Sequence, residues 1–226
     1  MKIGILQTGK PPEEMLQDYG DYIDAFTALL ANQGFEFEGW SVVDGDFPAS
    51  VQDADGWLIT GSRHGAYEDH DWIPPLEDFI RASISEKVPM VGVCFGHQII
   101  AQALGGKVEK FSGGWVVGHQ TYDFAGTQIG LHAWHQDQVV ELPPGATTIA
   151  SQDHCAHAAI VYGDRAFTVQ PHPEYDAGFI EGLIKIRGKG VVPEDQLTDA
   201  LNGLGQPTAN QTLADQFADF FRQERA

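Results

Sequence analysis

Residues 88–106 constrain the fold of this chain more than any other stretch. An apolar run from Val88 to Val93 passes through Gly92-Val93-Cys94-Phe95-Gly96. A helical pattern, His97 to Leu104, continues from it until Gly105-Gly106 ends the helix. A buried strand turning directly into a helix is a unit of α/β architecture. The glycines flanking Cys94 permit a turn tight enough to push the side chain at its apex above the sheet. A cysteine there meets the positive end of the helix dipole, which favours thiolate. The N–H of Phe95 is then placed to stabilise an oxyanion. The plain alternative is a buried core cysteine with incidental glycines.

The rest of the first half repeats this alternation. Lys2 to Leu6, Phe35 to Trp40 and Gly56 to Thr60 read as strands. Asp21 to Leu30 and Leu76 to Ile84 read as helices, the first with Tyr22, Ile23, Phe26, Leu29 and Leu30 at helical spacing and Gly34 as its stop. Val116 to Leu131 and Gln138 to Val161 are rich in β-formers with Gly and Pro punctuation, and predict short, partly antiparallel strands; Phe167 to Val169 adds one more. Asp199 to Asn210 reads as a loop, followed by a helix with Leu213, Phe217, Phe220 and Phe221 on a core-packing stripe. The expected fold is therefore α/β, with a largely parallel central sheet flanked by helices and a small additional antiparallel β region. All 226 residues are expected to form a single domain, closing with a loop and helix at about 199–226.

The composition excludes some partners. A formal net charge of −19 repels phosphate backbones and anionic lipid heads, so neither nucleic acid nor membrane is expected. Mean hydropathy is −0.21, and no apolar run approaches the roughly 20 residues of a bilayer span. The N-terminus reaches Gln7 and Thr8 too soon for a signal-peptide core, so a cytoplasmic location is expected. Two cysteines, Cys94 and Cys155, then read as a nucleophile and a small buried residue rather than as a disulfide.

A thiolate that cleaves an amide needs a proton donor for the leaving nitrogen, normally a histidine held by a third group. Of nine histidines His172 suits best: it follows a strand and stands between Pro171 and Pro173. Glu174 lies two residues on, on the same side of an extended chain, where it can hold the imidazole in one tautomer.

Gly92 to Gln98 together with His172-Pro173-Glu174 resembles the class I glutamine amidotransferase family. The resemblance runs from about Lys2 to Tyr175. It takes in Leu58 to Tyr67, similar to the family's oxyanion-loop segment, Gln98 to Gly106, and His135-Gln136-Asp137-Gln138-Val139, which matches a His-x-Asp-x-Val signature. It implies a triad of Cys94, His172 and Glu174 that opens a γ-glutamyl amide through a thioester, releasing ammonia and glutamate when glutamine is the substrate. Backbone N–H groups of Phe95 and of the Gly61-Ser62 turn would cradle the oxyanion. Relatives usually carry a second glycine where Ser62 stands, which narrows the turn's options. Gln98, His135 and Asp137 are the implied substrate-binding residues. No cofactor and no metal are expected.

The Gly114 to Gly118 stretch resembles stand-alone members of the GMP synthetase-like type, and plant γ-glutamyl peptidases share the layout. Three readings stay open: a glutaminase passing ammonia to a separate synthetase subunit, a γ-glutamyl peptidase acting on conjugates, and a partner-gated or non-catalytic regulatory subunit. The residues after Glu174 are too few for a synthetase domain of ordinary size.

Other signals carry less. Gly4 to Lys10 has the form G-x-x-x-x-G-K, but Pro11 stands where a phosphate loop needs Ser or Thr. The H-x-x-H pairs His132/His135 and His154/His157 lie on no predicted helix that would align their rings. Asp21, Asp24 and Glu68-Asp69-His70-Asp71 read as solvated faces, with Asp69 and Trp72 as candidates for shaping a substrate mouth.

Overall fold

Apolar runs too short for helices become strands, and the stretches between them cover the resulting sheet. In the computed structural model, which describes residues 1–225, the chain opens with β1 (Lys2–Leu6), α1 (Glu13–Tyr19), α2 (Tyr22–Leu29) and β2 (Glu36–Trp40). It continues through β3 (Gly56–Ile59), α3 (Ile73–Ser85), β4 (Met90–Val93) and α4 (Phe95–Ala103). Seven strands follow: β5 (Lys107–Lys110), β6 (Val116–Phe124), β7 (Thr127–His135), β8 (Asp137–Glu141), β9 (Thr147–Gln152), β10 (Cys155–Tyr162) and β11 (Ala166–Val169). The chain closes with α5 (Ala177–Leu183), α6 (Glu194–Asn202) and α7 (Asn210–Arg222).

One nine-stranded sheet has the order β2-β1-β3-β4-β11-β10-β9-β6-β7, and β5 pairs with β8 in a small antiparallel sheet. From β2 to β11 neighbours run parallel; from β11 to β7 they run antiparallel. The architecture is the expected one, a mixed α/β fold with a large parallel sheet core. The antiparallel strands mostly extend that sheet instead of standing apart.

The parallel strands are buried on both faces, and their side chains alternate between two cores. Trp57, Ile59 and Met90 pack with Leu76, Ile80, Ile99 and Ile100 under α3 and α4. Leu58, Val91 and Val93 pack on the other face with Phe26, Leu213, Phe217 and Phe221 from α2 and α7. The stripe on α7 is thus core, and emptying one such site, as in Phe217→Ala, costs about 3–5 kcal/mol.

Local signals explain the helix ends. Asp21 accepts from the N–H of Ile23 and Asp24, and Asp24 returns a bond to the N–H of Asp21, so this acidic pair is a capping box. Residues 199–202, expected in a loop, instead close α6, because Leu197 and Ala200 bury on its inner side; the loop proper begins at Gly203. Among the described residues no helix is long and apolar enough to cross a membrane.

β2 and β3 lie on opposite sides of β1, so the chain leaving the carboxyl end of β1 passes to one side, toward β2, and the chain leaving β3 passes to the other, toward β4. In open α/β sheets the crevice beyond such carboxyl ends is where ligands bind. The segments that leave β1, β3, β4 and β11 there are Gln7–Gly9, Thr60–Ser62, Cys94 and Gln170–Glu174.

Candidate active site

Cys94 is the residue between β4 and α4, with φ 53° and ψ −103°, a positive φ that an L-residue holds only when its surroundings enforce it. The enforcement is close backbone contact. A Cβ on Gly96 would lie 2.2 Å from the Ile59 carbonyl oxygen, and one on Gly92 would lie 2.6 Å from the Gly96 carbonyl. Cys94 N–H donates to Val169 O at 2.9 Å and Gly96 N–H to Thr60 O at 3.1 Å, clamping the turn between β11 and β3. Phe95 opens α4, so its N–H has no acceptor within the helix.

His172 is fixed from three sides. Its N–H donates to His132 O on β7 at 2.8 Å, and its ring stacks on Tyr175 with centroids 4.0 Å apart and planes 5° from parallel. Nδ1 lies 2.7 Å from Glu174 Oε1, and both side chains are buried, 2% and 1% exposed. Phe179 stacks in turn on Tyr175 at 4.2 Å. With Nδ1 engaged, Nε2 is the ring atom left for Cys94, and it is buried with no hydrogen-bond partner. Burial lowers the pKa of this imidazole, but the charges of Glu174 and then Cys94 more than reverse it, so the net shift is upward. The structure therefore brings Cys94, His172 and Glu174 together.

The Gly61–Ser62 peptide lies against this group: a Cβ on Gly61 would be 3.1 Å from His172 Cε1 and 3.7 Å from Cys94 Cβ. The Gly61 carbonyl accepts from Thr8 Oγ1 at 3.2 Å and Thr60 Oγ1 at 3.1 Å. In a trans peptide the N–H points opposite the carbonyl, so these hydroxyls fix the direction of the Ser62 N–H. Thr8 also donates from its N–H to Thr60 Oγ1 at 3.0 Å, and a Cβ on Gly9 would stand 2.9 Å from Ser62 Cα. The segment with a phosphate-loop outline is thus a brace for the Gly61–Ser62 turn. Its Lys10 pairs with Asp44.

Above the turn lies a cavity of about 520 Å³. Ser62, Cys94, Gln98, His135, Asp137 and His172 all line it, so the residues singled out as substrate-binding sit beside Cys94. Gln98 Nε2 donates to Asp137 O at 2.8 Å and Gln170 Oε1 at 3.1 Å, which leaves its carbonyl oxygen to face a ligand. Trp115, Trp134, Ile186 and Val191 supply apolar wall, and Arg63, Lys110, Arg187 and Lys189 supply positive charge. Asp69 and Trp72 do not line it; Trp72 packs beneath, 5.5 Å from Phe95. Thr8, Tyr175 and the Ile184–Gly188 π-turn that carries Ile186 and Arg187 were not singled out from the sequence. Only Tyr175 had a local signal, adjoining His172-Pro173-Glu174.

Two further histidines beside the site make acid stability a test of the packing. Burial, then neighbouring imidazoles, hold His97 and His135 down to about 3, with His97 Nδ1 2.8 Å from Thr168 Oγ1. A folded pKa below the unfolded 6.5 means that unfolding takes up protons. The stability from these two groups is complete above about pH 6.5 and is lost as pH falls toward 3. Together they contribute a slope of about 2–3 kcal/mol per pH unit near pH 5. Urea unfolding at pH 6 and pH 5 reads this slope directly; equal stabilities would contradict neutral buried imidazoles.

The family model described as Glutamine amidotransferase class-I matches residues 18–180. The chain is 33% identical over 181 residues to gamma-glutamyl peptidase 3 of Arabidopsis thaliana, covering 73% of each. It is 29% identical over 166 residues to the glutamine-hydrolysing GMP synthase of Thermus thermophilus, covering 68% of this chain and 32% of that one. The crystal structure of a glutamine amido transferase from Methylobacillus flagellatus superposes with a TM-score of 0.77 at 23% identity, over 97% of this chain and 92% of that one, which speaks to the fold.

Proposed function

The chain belongs to the class I glutamine amidotransferase family, and from that premise we propose that it hydrolyses a γ-glutamyl amide through a thioester on Cys94, as one domain of 226 residues. Cys94 Sγ attacks the side-chain amide carbon, His172 Nε2 protonates the departing nitrogen, and the same imidazole then activates the water that releases glutamate. Glu174 holds Nδ1–H and stabilises the imidazolium. The N–H groups of Phe95 and Ser62 receive the oxyanion, and Gln98, His135 and Asp137 face the glutamyl end. The observation that carries this reading is the convergence of Cys94, the His172–Glu174 pair at 2.7 Å, and the braced Gly61–Ser62 peptide at one strand-end crevice.

Glutamine is the default substrate, with ammonia passing to a separate synthetase subunit. One observation favours γ-glutamyl peptides as well. The cavity is of the size that takes drug-sized ligands and gathers four of the chain's 13 Lys and Arg residues. Such a wall suits a leaving group that bears its own carboxylate and apolar side chain, which ammonia does not. The reducing cytoplasm suits a free thiol at Cys94. Glutamate release from glutamine and from a panel of γ-glutamyl dipeptides, with Cys94→Ala as control, decides between them. Release from none, with the protein folded, would overturn hydrolysis by this chain alone.

The Thr8 brace gives a second test. Thr8→Val keeps shape but removes one of the two hydroxyls on the Gly61 carbonyl and the bond to Thr60 O, so kcat falls about tenfold with KM little changed, and Thr8→Ser restores it. Full loss of an oxyanion donor costs about 10²–10³-fold. A fall in stability with kcat intact would make Thr8 structural only.

A further inference from the structure

The loop joining β3 to α3 carries three potential metal ligands that the hydrolytic reaction does not use. His64 Nδ1 lies 3.4 Å from Glu68 Oε2, and His70 Nε2 lies 2.8 Å from the same oxygen. The three ligand atoms fall within 4.8 Å of one another, and the two imidazole rings meet edge to face with centroids 4.3 Å apart. The sequence pattern is H-x₃-E-x-H, distinct from the H-x-x-H pairs. Of those pairs, His157 bonds Thr148 at 2.6 Å.

We propose that His64, Glu68 and His70 form a binding site for a divalent transition metal of the zinc type. Two imidazoles and a carboxylate are the borderline donor set that suits zinc, and three protein ligands leave a fourth position for water. Tetrahedral ligands about 2.0–2.2 Å from zinc stand roughly 3.3 Å apart, so His64 and Glu68 are already at the required spacing while the His70–Glu68 bond has to open slightly. The surroundings hold the donors in place. Trp72 stacks on His70, 5.9 Å between centroids and 12° from parallel, and meets His64 edge-on. Glu68 N–H donates to Gly65 O at 3.0 Å, and His64 N–H to Ser62 Oγ at 3.1 Å. Through the Ser62 bond a metal here would stiffen the turn that adjoins Cys94, giving a role to the side chain that stands where relatives have glycine.

The test separates this site from the Cys94–His172 pair, itself a zinc-binding combination. Zinc is titrated calorimetrically into Cys94→Ala protein, then into the same protein carrying His70→Ala or Glu68→Gln. The site predicts one zinc per chain in Cys94→Ala, weakened at least tenfold by either second change. It also predicts an unfolding midpoint raised by about 5 °C at a hundredfold excess over Kd, lost in the double variants. His70 lies outside the main cavity, so His70→Ala alone leaves metal-free hydrolysis unchanged, which also reports that this variant folds. No binding to Cys94→Ala, or equal affinity in the folded double variants, would overturn the site.

Discussion

Cys94→Ala removes glutamate release, by a factor on the order of 10⁴ or more, while secondary structure and unfolding midpoint stay near those of the parent. The size of the effect follows from the lack of a substitute nucleophile. Cys155, the chain's other thiol, is buried on β10 with its pKa pushed up to about 12 by burial. The small structural cost follows from alanine keeping the Cβ that the turn already accommodates at φ 53°. Glycine at this position should behave differently. It relieves a backbone strain of about 1 kcal/mol or more, so Cys94→Gly should be inactive yet no less stable than Cys94→Ala. Activity retained in either variant would remove Cys94 from the reaction.

Glu174→Gln lowers kcat by about 10²–10⁴-fold and leaves KM nearly unchanged, since the group touches His172 and not the glutamyl moiety. Glutamine can still accept from Nδ1–H, so the tautomer survives and the lost quantity is charge. The charge of the carboxylate leads the influences that raise the His172 pKa against burial. Without it the imidazolium gives up its proton more readily, and the alkaline limb of the pH–rate profile moves to lower pH. A stacked ring held by Tyr175 keeps its place in the variant, which separates loss of charge from loss of geometry. An unchanged rate would assign Glu174 to structure alone.

The parts of this site that were legible in the sequence are those whose constraints are local. The elbow needs a glycine on each side of Cys94 because neighbouring backbone lies well inside van der Waals contact of where a side chain would begin, and that need shows in five consecutive letters. His172 and Glu174 share one side of an extended segment, again a local relation. Thr8 was not legible because its partners lie 52 and 53 residues away, and its own neighbourhood imitates a phosphate loop. The helix over 199–202 was hidden by nearby glycines and proline, and only the packing of Leu197 and Ala200 decides it. Glu68 and His70 lie in a run that reads as solvated acid and His64 in the segment before it that resembles an oxyanion loop, and nothing in the letters says that the loop folds back to bring the two imidazoles together.

The central claim is a γ-glutamyl thioester on Cys94, and acid quenching during turnover tests it most directly. Substrate is mixed with the parent protein and with Glu174→Gln, in which the intermediate should persist if hydrolysis slows more than acylation. The quenched chains are then digested and weighed. The account predicts a mass gain of one γ-glutamyl group on the peptide containing Cys94, abolished by Cys94→Ala and discharged by hydroxylamine. Turnover with no adduct on that peptide in either protein, or an adduct that survives Cys94→Ala, would contradict it.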